Sequence, residues 1–133
     1  MLTQFALSIE DARKMADAAR AEAQKNGWNV VISIVDDGGH LMYLERLDGT
    51  QKASSRIAVE KARTAIMFRR PSKALEDVVA GGRVAVMTLG ATTVEGGLPI
   101  VVDGQFVGGI GVSGVQSSQD AQVAQAGLSA LGS

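Results

Sequence analysis

Residues 28–47 carry the pattern that most constrains how this chain can fold. The run WNVVISIV (28–35) is rich in β-branched residues and apolar at both sets of alternating positions, as in a strand buried on both faces. The turn residues DDGG (36–39) separate this run from HLMYLERL (40–47), so the two runs predict a β-hairpin. Strands joined in hairpins argue for an antiparallel sheet with helices against it, and not for a doubly wound parallel sheet.

The remaining elements are predicted from helical periodicity and turn residues. Helices are predicted from Ser8 to about Asn26, from Ala53 to about Phe68, around Leu75–Val79 and from Ser117 onward, and further strands at 83–88, 98–102 and 105–112. The dipeptide DG (103–104) predicts a type I′ turn between the last two strands. Ser8 with Asp11, and Ser117 with Asp120, are predicted as helix caps with an acidic partner. The order α-β-β-α-α-β-β-β-α therefore contains five strands.

Length and composition bound the class of protein. The 133 residues, 46% hydrophobic and 20% charged, suit a single folded domain over residues 1–133. The net charge of −1 includes no basic surplus, which argues against a nucleic-acid partner. The absence of cysteine excludes disulfides, iron–sulfur clusters and thiol nucleophiles. No signal peptide is recognisable and no apolar run approaches the ~20 residues of a spanning helix, so a cytoplasmic location without membrane contact is expected.

The stretch GIGVSG (109–114) matches the G-x-G-x-x-G pattern and follows a predicted strand. A dinucleotide site is disfavoured there, because such a site needs a second strand after the helix and the sequence ends within that helix. Two interpretations stay open for these glycines. They form a glycine-rich strand with a tight exit turn, or they leave the backbone uncovered so that a ligand or a second subunit can approach closely.

His40 is the only histidine of the chain. A neutral imidazole is a common metal ligand and a general base near neutral pH. A single histidine at the start of a strand also fits a partly exposed structural residue. A zinc site would need carboxylates or a neighbouring subunit in addition to His40, because three histidines are not available.

Two basic groups are candidates for binding an anion. Lys61 lies on a helical stripe that is otherwise small and mostly apolar, so its ammonium group either reaches the surface or lines a pocket, where it could pair with a carboxylate. Arg69 and Arg70, with Lys73 nearby, form a basic cluster around a helix break. Such a cluster is either a solvated corner or a site for carboxylate or phosphate groups.

Three stretches in order give the chain a family resemblance. They are VDDGGHLMYLERLDG (35–49), the helix S-x-x-I-A-x-x-K-A-x-T-A (54–65), and GGIGVSG (108–114) followed by QDAQVAQAGLSAL (119–131). With this spacing the chain resembles the GlcG/HbpS family, which is also found as the C-terminal domain of PduO-type proteins. The resemblance covers nearly the whole chain. It implies a profilin-like α+β fold with a five-stranded antiparallel sheet, helices packed on it, and assembly into homo-oligomers.

The same resemblance implies a haem-binding protein that acts in haem sensing, storage or scavenging. Carried over to this chain, His40 is the candidate axial ligand of the haem iron, and Lys61 and Arg69 are candidates for acidic groups such as the propionates. Gly109 and Gly111 are candidates for the wall of the pocket. Cysteine is a ligand in some relatives and is absent here. The possible second ligands are Met42, Met67 and Met87.

Two other functions are compatible with the same residues. A small catabolic enzyme or accessory protein would hold an organic acid through Lys61 and the glycine-rich loop, with His40 or Asp37 moving a proton. A structural or sensory protein would instead use the strand containing Gly109 and Gly111 as an assembly surface. A binding protein for haem or another small molecule is favoured over an enzyme.

Overall fold

One antiparallel sheet organises the chain in a computed structural model that describes residues 1–132. The strands are β1 (Val31–Asp36), β2 (Leu41–Arg46), β3 (Gly97–Val102) and β4 (Gln105–Ser113). The helices are α1 (Ile9–Lys25), α2 (Ser54–Phe68), α3 (Ser72–Ala80) and α4 (Ser117–Leu131). The strand order is β2-β1-β4-β3, so both hairpins lie side by side and β2 and β3 form the two edges. The predicted α+β class with an antiparallel sheet and helices on it is confirmed.

The prediction of a fifth strand at 83–88 is wrong. Residues Val84–Leu89 form a 3₁₀ helix instead, so the described residues contain a four-stranded sheet. The backbone of this segment satisfies its hydrogen bonds locally, with the Val86 N–H donating to the carbonyl of Arg83 at 3.3 Å. The segment packs against α3 and not against the sheet, and Val86 is its one buried residue. A short apolar run does not by itself distinguish a strand from such a segment.

Helices α1 and α4 cover one face of the sheet and form the larger core. The buried residues of this layer are Ala12, Met15, Ala16, Ala19, Ala23, Val30, Ile32, Ile34, Ile100, Val107, Ile110, Val112, Val123 and Ala124. Helix α2 covers the other face and contacts β4, β3 and β1. The buried apolar residues between α2 and the sheet are Val35, Ala62 and Ile66. The central strand β1 is therefore buried on both faces, as its composition predicted.

The two predicted helix caps have different outcomes. The cap of α1 is confirmed, because the Ser8 hydroxyl accepts from the Asp11 N–H and the Asp11 carboxylate accepts from the Ser8 N–H, both at 3.0 Å. The predicted Ser117 cap of α4 is wrong. Gln116 is the N-cap residue there and exchanges hydrogen bonds with Gln119. Asp120 does not cap the helix. Its side chain points into the protein and forms a buried ion pair with Lys61.

The hairpin between β3 and β4 has the turn that the sequence predicted. Asp103 and Gly104 have φ values of 49° and 77°, and a type I′ turn requires positive φ at both central residues. Pro99 lies within the edge strand β3. At the other edge, Glu45 of β2 pairs with Arg20 of α1 at 2.8 Å. Within residues 1–132, no helix is long and apolar enough to cross a bilayer.

Candidate ligand-binding site

His40 lies at the end of the sheet where the β1–β2 turn meets the last residue of β1. The Asp36 carboxylate accepts hydrogen bonds from the backbone N–H groups of Gly38 and His40, each at 2.9 Å. The same oxygen of Asp36 lies 3.3 Å from His40 Nδ1, and the His40 side chain is 81% exposed. The turn therefore holds the imidazole at the surface, with one ring nitrogen beside a carboxylate.

The hydrogen bonds of this turn shift the titration of Asp36. Partial burial opposes ionisation, but the N–H groups of His40 and Gly38 stabilise the carboxylate and lower the pKa of Asp36 below its usual value. A folded-state pKa below the unfolded one adds stability at pH values above the unfolded pKa. That stability is lost as the pH falls through the folded pKa.

Replacing Asp36 with asparagine is therefore expected to reduce the acid sensitivity of the fold. Between about pH 5 and pH 2 the wild type should lose more free energy of unfolding than Asp36→Asn, because asparagine keeps an acceptor oxygen but does not titrate. Urea unfolding at a series of pH values measures the difference. Equal pH dependence of the two proteins would contradict the assigned role of Asp36.

The C-terminal end of α2 lies beside this turn. A Cβ atom built at Gly39 would lie 3.4 Å from Arg63 Nε and 3.6 Å from Met67 Sδ, so both side chains lie next to the turn. Met67 is 57% exposed although its side chain is apolar. A cavity of about 80 Å³ next to it is lined by Glu60, Arg63, Thr64, Met67, Phe68 and Gly90. An imidazole, a thioether and a guanidinium group thus share one end of the molecule.

Arg69 adds a second guanidinium group at the same end. It terminates α2 in the left-handed conformation, with φ 54°, and its guanidinium carbon lies 5.2 Å from the centroid of the Phe106 ring. This distance is that of a cation–π contact. Asp36 pairs with Gly108, two residues after Phe106, so His40 and Arg69 lie at the same end of the sheet.

Lys61 lies elsewhere, in the interior near the end of β4, where its side chain reaches from α2 to the start of α4. Its Nζ donates to the carboxylate of Asp120 and to the carbonyl of Val112, each at 3.1 Å, and its side chain is 3% exposed. Burial raises the pKa of Asp120, while Lys61 and the N–H of Val115 oppose this rise. An external carboxylate would have to displace Asp120 to reach the ammonium group. The structure does not bring Lys61 together with His40 and Arg69.

The glycine-rich strand is also covered within the chain. A Cβ at Gly111 would overlap the carbonyl oxygen of Ala58, and a Cβ at Gly109 would overlap that of Ala62. The sequence left open a close approach by a ligand or a second subunit at these glycines, and in the structure helix α2 of the same chain approaches them. Gly109 and Gly111 are buried beneath this helix, and neither lines the cavity beside Met67.

The buried partner of Lys61 escaped the sequence analysis, which assigned Asp120 to a helix cap. A signal was present in the spacing of α4, where Asp120, Val123, Ala124 and Gly127 are all buried on one stripe. Lys61 interrupts the corresponding stripe of α2. Opposite charges on the buried stripes of two helices are the pattern of an interior ion pair.

The described residues define an α+β protein with one antiparallel sheet between helical layers and a candidate site at one end of the sheet. Residues 7–129 match the model of a family described as haem degrading protein HbpS-like. Protein GlcG of Escherichia coli strain K12 is 47% identical over 114 residues, which cover 85% of this chain and 85% of GlcG. The chain therefore belongs to the HbpS-like family, and the resemblance deduced from its motifs is confirmed.

Solved structures agree with this assignment. The crystal structure of a PduOC–haem complex has 34% identity and a TM-score of 0.86, with 95% of each chain covered. A double mutant of HbpS from Streptomyces reticuli has 32% identity and a TM-score of 0.88, with 97% of this chain and 89% of that chain covered. The similarity thus extends over the sheet and its helices together.

Proposed function

We propose that this protein binds haem and serves in haem sensing, storage or scavenging. The observation that carries the proposal is the similarity to the PduOC–haem complex, which extends over 95% of the chain with a TM-score of 0.86. The description of the matching family, haem degrading protein HbpS-like, supports the same ligand. Haem iron requires an axial ligand from the protein, and imidazole is the commonest type.

The chemistry of His40 fits an axial ligand. Histidines that bind metals usually present their second ring N–H to a carboxylate, which fixes the tautomer and increases the basicity of the ligating nitrogen. Asp36 provides this carboxylate at 3.3 Å from Nδ1, which leaves Nε2 as the ligating atom. With its side chain 81% exposed, His40 is open to a large flat ligand without displacement of core residues.

The neighbouring groups suit the rest of the haem. Arg69 is placed to pair with a propionate carboxylate, for which a guanidinium group is well matched, whereas Arg63 is already paired with Glu60 at 3.4 Å. Phe106 and Met67 offer apolar surface to the macrocycle, and Met67 is the best-placed thioether for a second iron ligand. Bound haem would supply an iron centre for redox chemistry. In this proposal Lys61, Gly109 and Gly111 support the fold behind the site.

Titration of the untagged protein with hemin tests the proposal. We expect a saturable Soret shift at one haem per chain, and His40→Ala should weaken binding by at least about tenfold because an iron–nitrogen bond is lost. Added imidazole should restore the spectrum of the variant. Lys52→Ala removes an exposed side chain outside this end of the molecule and should leave binding unchanged.

Two results would contradict this assignment. No saturable shift in the wild type would overturn the proposed function. An unchanged spectrum and affinity in His40→Ala would overturn the assigned ligand and leave haem binding itself in place.

A further inference from the structure

A second groove lies on the outside of the molecule between the end of α2, helix α3 and the 3₁₀ helix. It has a volume of about 290 Å³ and is lined by Phe68, Arg70, Leu75, Val78, Arg83, Val86 and Leu89. Leu75 is 4% exposed and Val86 8%, so their buried side chains form the apolar floor. Leu89 is 58% exposed and Val78 37%, so the walls remain open to solvent. Grouped exposed apolar side chains of this kind are typical of a binding surface.

Positive charge is placed at this groove without a matching acid. None of the described residues that line it is an aspartate or a glutamate. Arg70 is anchored through Nε, which donates to the carbonyl of Phe68 at 2.9 Å, so its terminal nitrogens remain available. The Arg83 side chain makes no hydrogen bond or ion pair within residues 1–132.

The nearest acids along α3 are already engaged by other groups. Lys73 holds Asp77 at 2.8 Å and Glu76 at 3.5 Å. Glu76 also accepts a hydrogen bond from the Glu95 N–H at 3.1 Å. Arg70 and Arg83 therefore line an apolar groove. Neither Asp77 nor Glu76 neutralises their charge. This arrangement is complementary to a ligand with an apolar body and one negative end.

We propose that the groove binds a small carboxylic acid with a short chain or a single ring. The volume lies near the lower end of the range for small-molecule sites, about 300–1,000 Å³. The apolar part of the acid would rest on Leu75 and Val86, and the carboxylate would pair with Arg83 and Arg70. The site is independent of the proposed haem ligand His40. Its two cations, Arg70 and Arg83, are open to solvent, whereas Lys61 is buried with Asp120.

Amide-resolved NMR of the haem-free protein tests this site with hexanoate and its uncharged analogue hexanamide. We expect saturable shifts in residues 83–90 with hexanoate and at least about tenfold weaker binding of hexanamide, because the charge-assisted hydrogen bonds are absent. Arg83→Gln should weaken hexanoate binding about tenfold and leave hexanamide unchanged. Arg56→Gln, on an exposed position of α2 outside the groove, is the matched control and should bind both probes as the wild type does.

A second variant separates binding from folding. Val78→Glu places a carboxylate at the rim of the groove and should abolish hexanoate binding while the thermal unfolding midpoint stays close to that of the wild type. Equal affinity for the two probes, shifts that map outside the groove, or no saturable binding would overturn the proposal. The proposal would also be overturned if a second copy of the chain covered residues 83–90 and excluded both probes. None of these results depends on hemin binding, so the two proposals fail separately.

Discussion

Replacing Asp120 with alanine is expected to lower the free energy of unfolding by about 3–5 kcal/mol, because the Lys61 ammonium group is left buried without its counter-ion. Asp120 is 2% exposed and also accepts a hydrogen bond from the Val115 N–H at 3.1 Å, so water cannot easily replace it. Urea unfolding at neutral pH, followed by circular dichroism, measures the loss. A decrease below about 1 kcal/mol would show that the pair is solvated or replaceable.

A double variant separates the ion pair from simple loss of volume. Lys61→Met combined with Asp120→Leu removes both charges and keeps apolar bulk at the position of the ion pair. It should recover part of the stability lost in Asp120→Ala, because neither charge is then buried alone. A double variant that is less stable than Asp120→Ala would mean that the hydrogen bonds to Val112 and Val115 contribute more than the paired charges do.

Replacing Gly111 with alanine is expected to lower the free energy of unfolding by about 3 kcal/mol or more. The added Cβ would overlap the carbonyl oxygen of Ala58 and lie 2.6 Å from the Ala62 nitrogen. These are backbone atoms of α2, so no side chain can rotate to make room and the helix itself must shift. Thermal and urea unfolding measure the loss.

Gly81→Ala is the matched control for this substitution. Gly81 has φ −76°, which any residue adopts, and its added Cβ would lie 3.3 Å from the Asp77 carbonyl oxygen at the exposed end of α3. Its effect should stay within about 0.5 kcal/mol. Similar losses at both positions would contradict the account of α2 resting directly on the backbone of β4.

The sequence predicted most of the elements because their signals are local. The cap of Ser8 and Asp11, the turn at 103–104 and the β-branched run of β1 each depend on neighbours within a few residues. The segment at 83–88 was assigned wrongly because a strand needs a neighbouring strand, and composition does not show whether one is within reach. In the structure the segment packs against α3 and is not part of the sheet.

The candidate site was only partly predictable for the same reason. His40 was predicted as a candidate because it is the only imidazole, and Arg69 because it belongs to a basic cluster. The pairing of Lys61 with Asp120 links residues 59 positions apart, and nothing local indicates which partner a buried lysine has. Met67 was one of three methionines that the sequence could not rank. Its position beside Gly39 follows from how α2 packs on the sheet.

The edges of the sheet bear on how the protein behaves when it is concentrated. A free edge strand is a template on which another polypeptide can add a strand, and this is a common start of aggregation. In β3 the edge contains Pro99, and proline occurs in edge strands with its nitrogen toward the open side, where it cannot donate a hydrogen bond. In β2 the edge carries Glu45 and Arg46, which disfavour apolar stacking of copies. Strand addition is thus disfavoured at both edges.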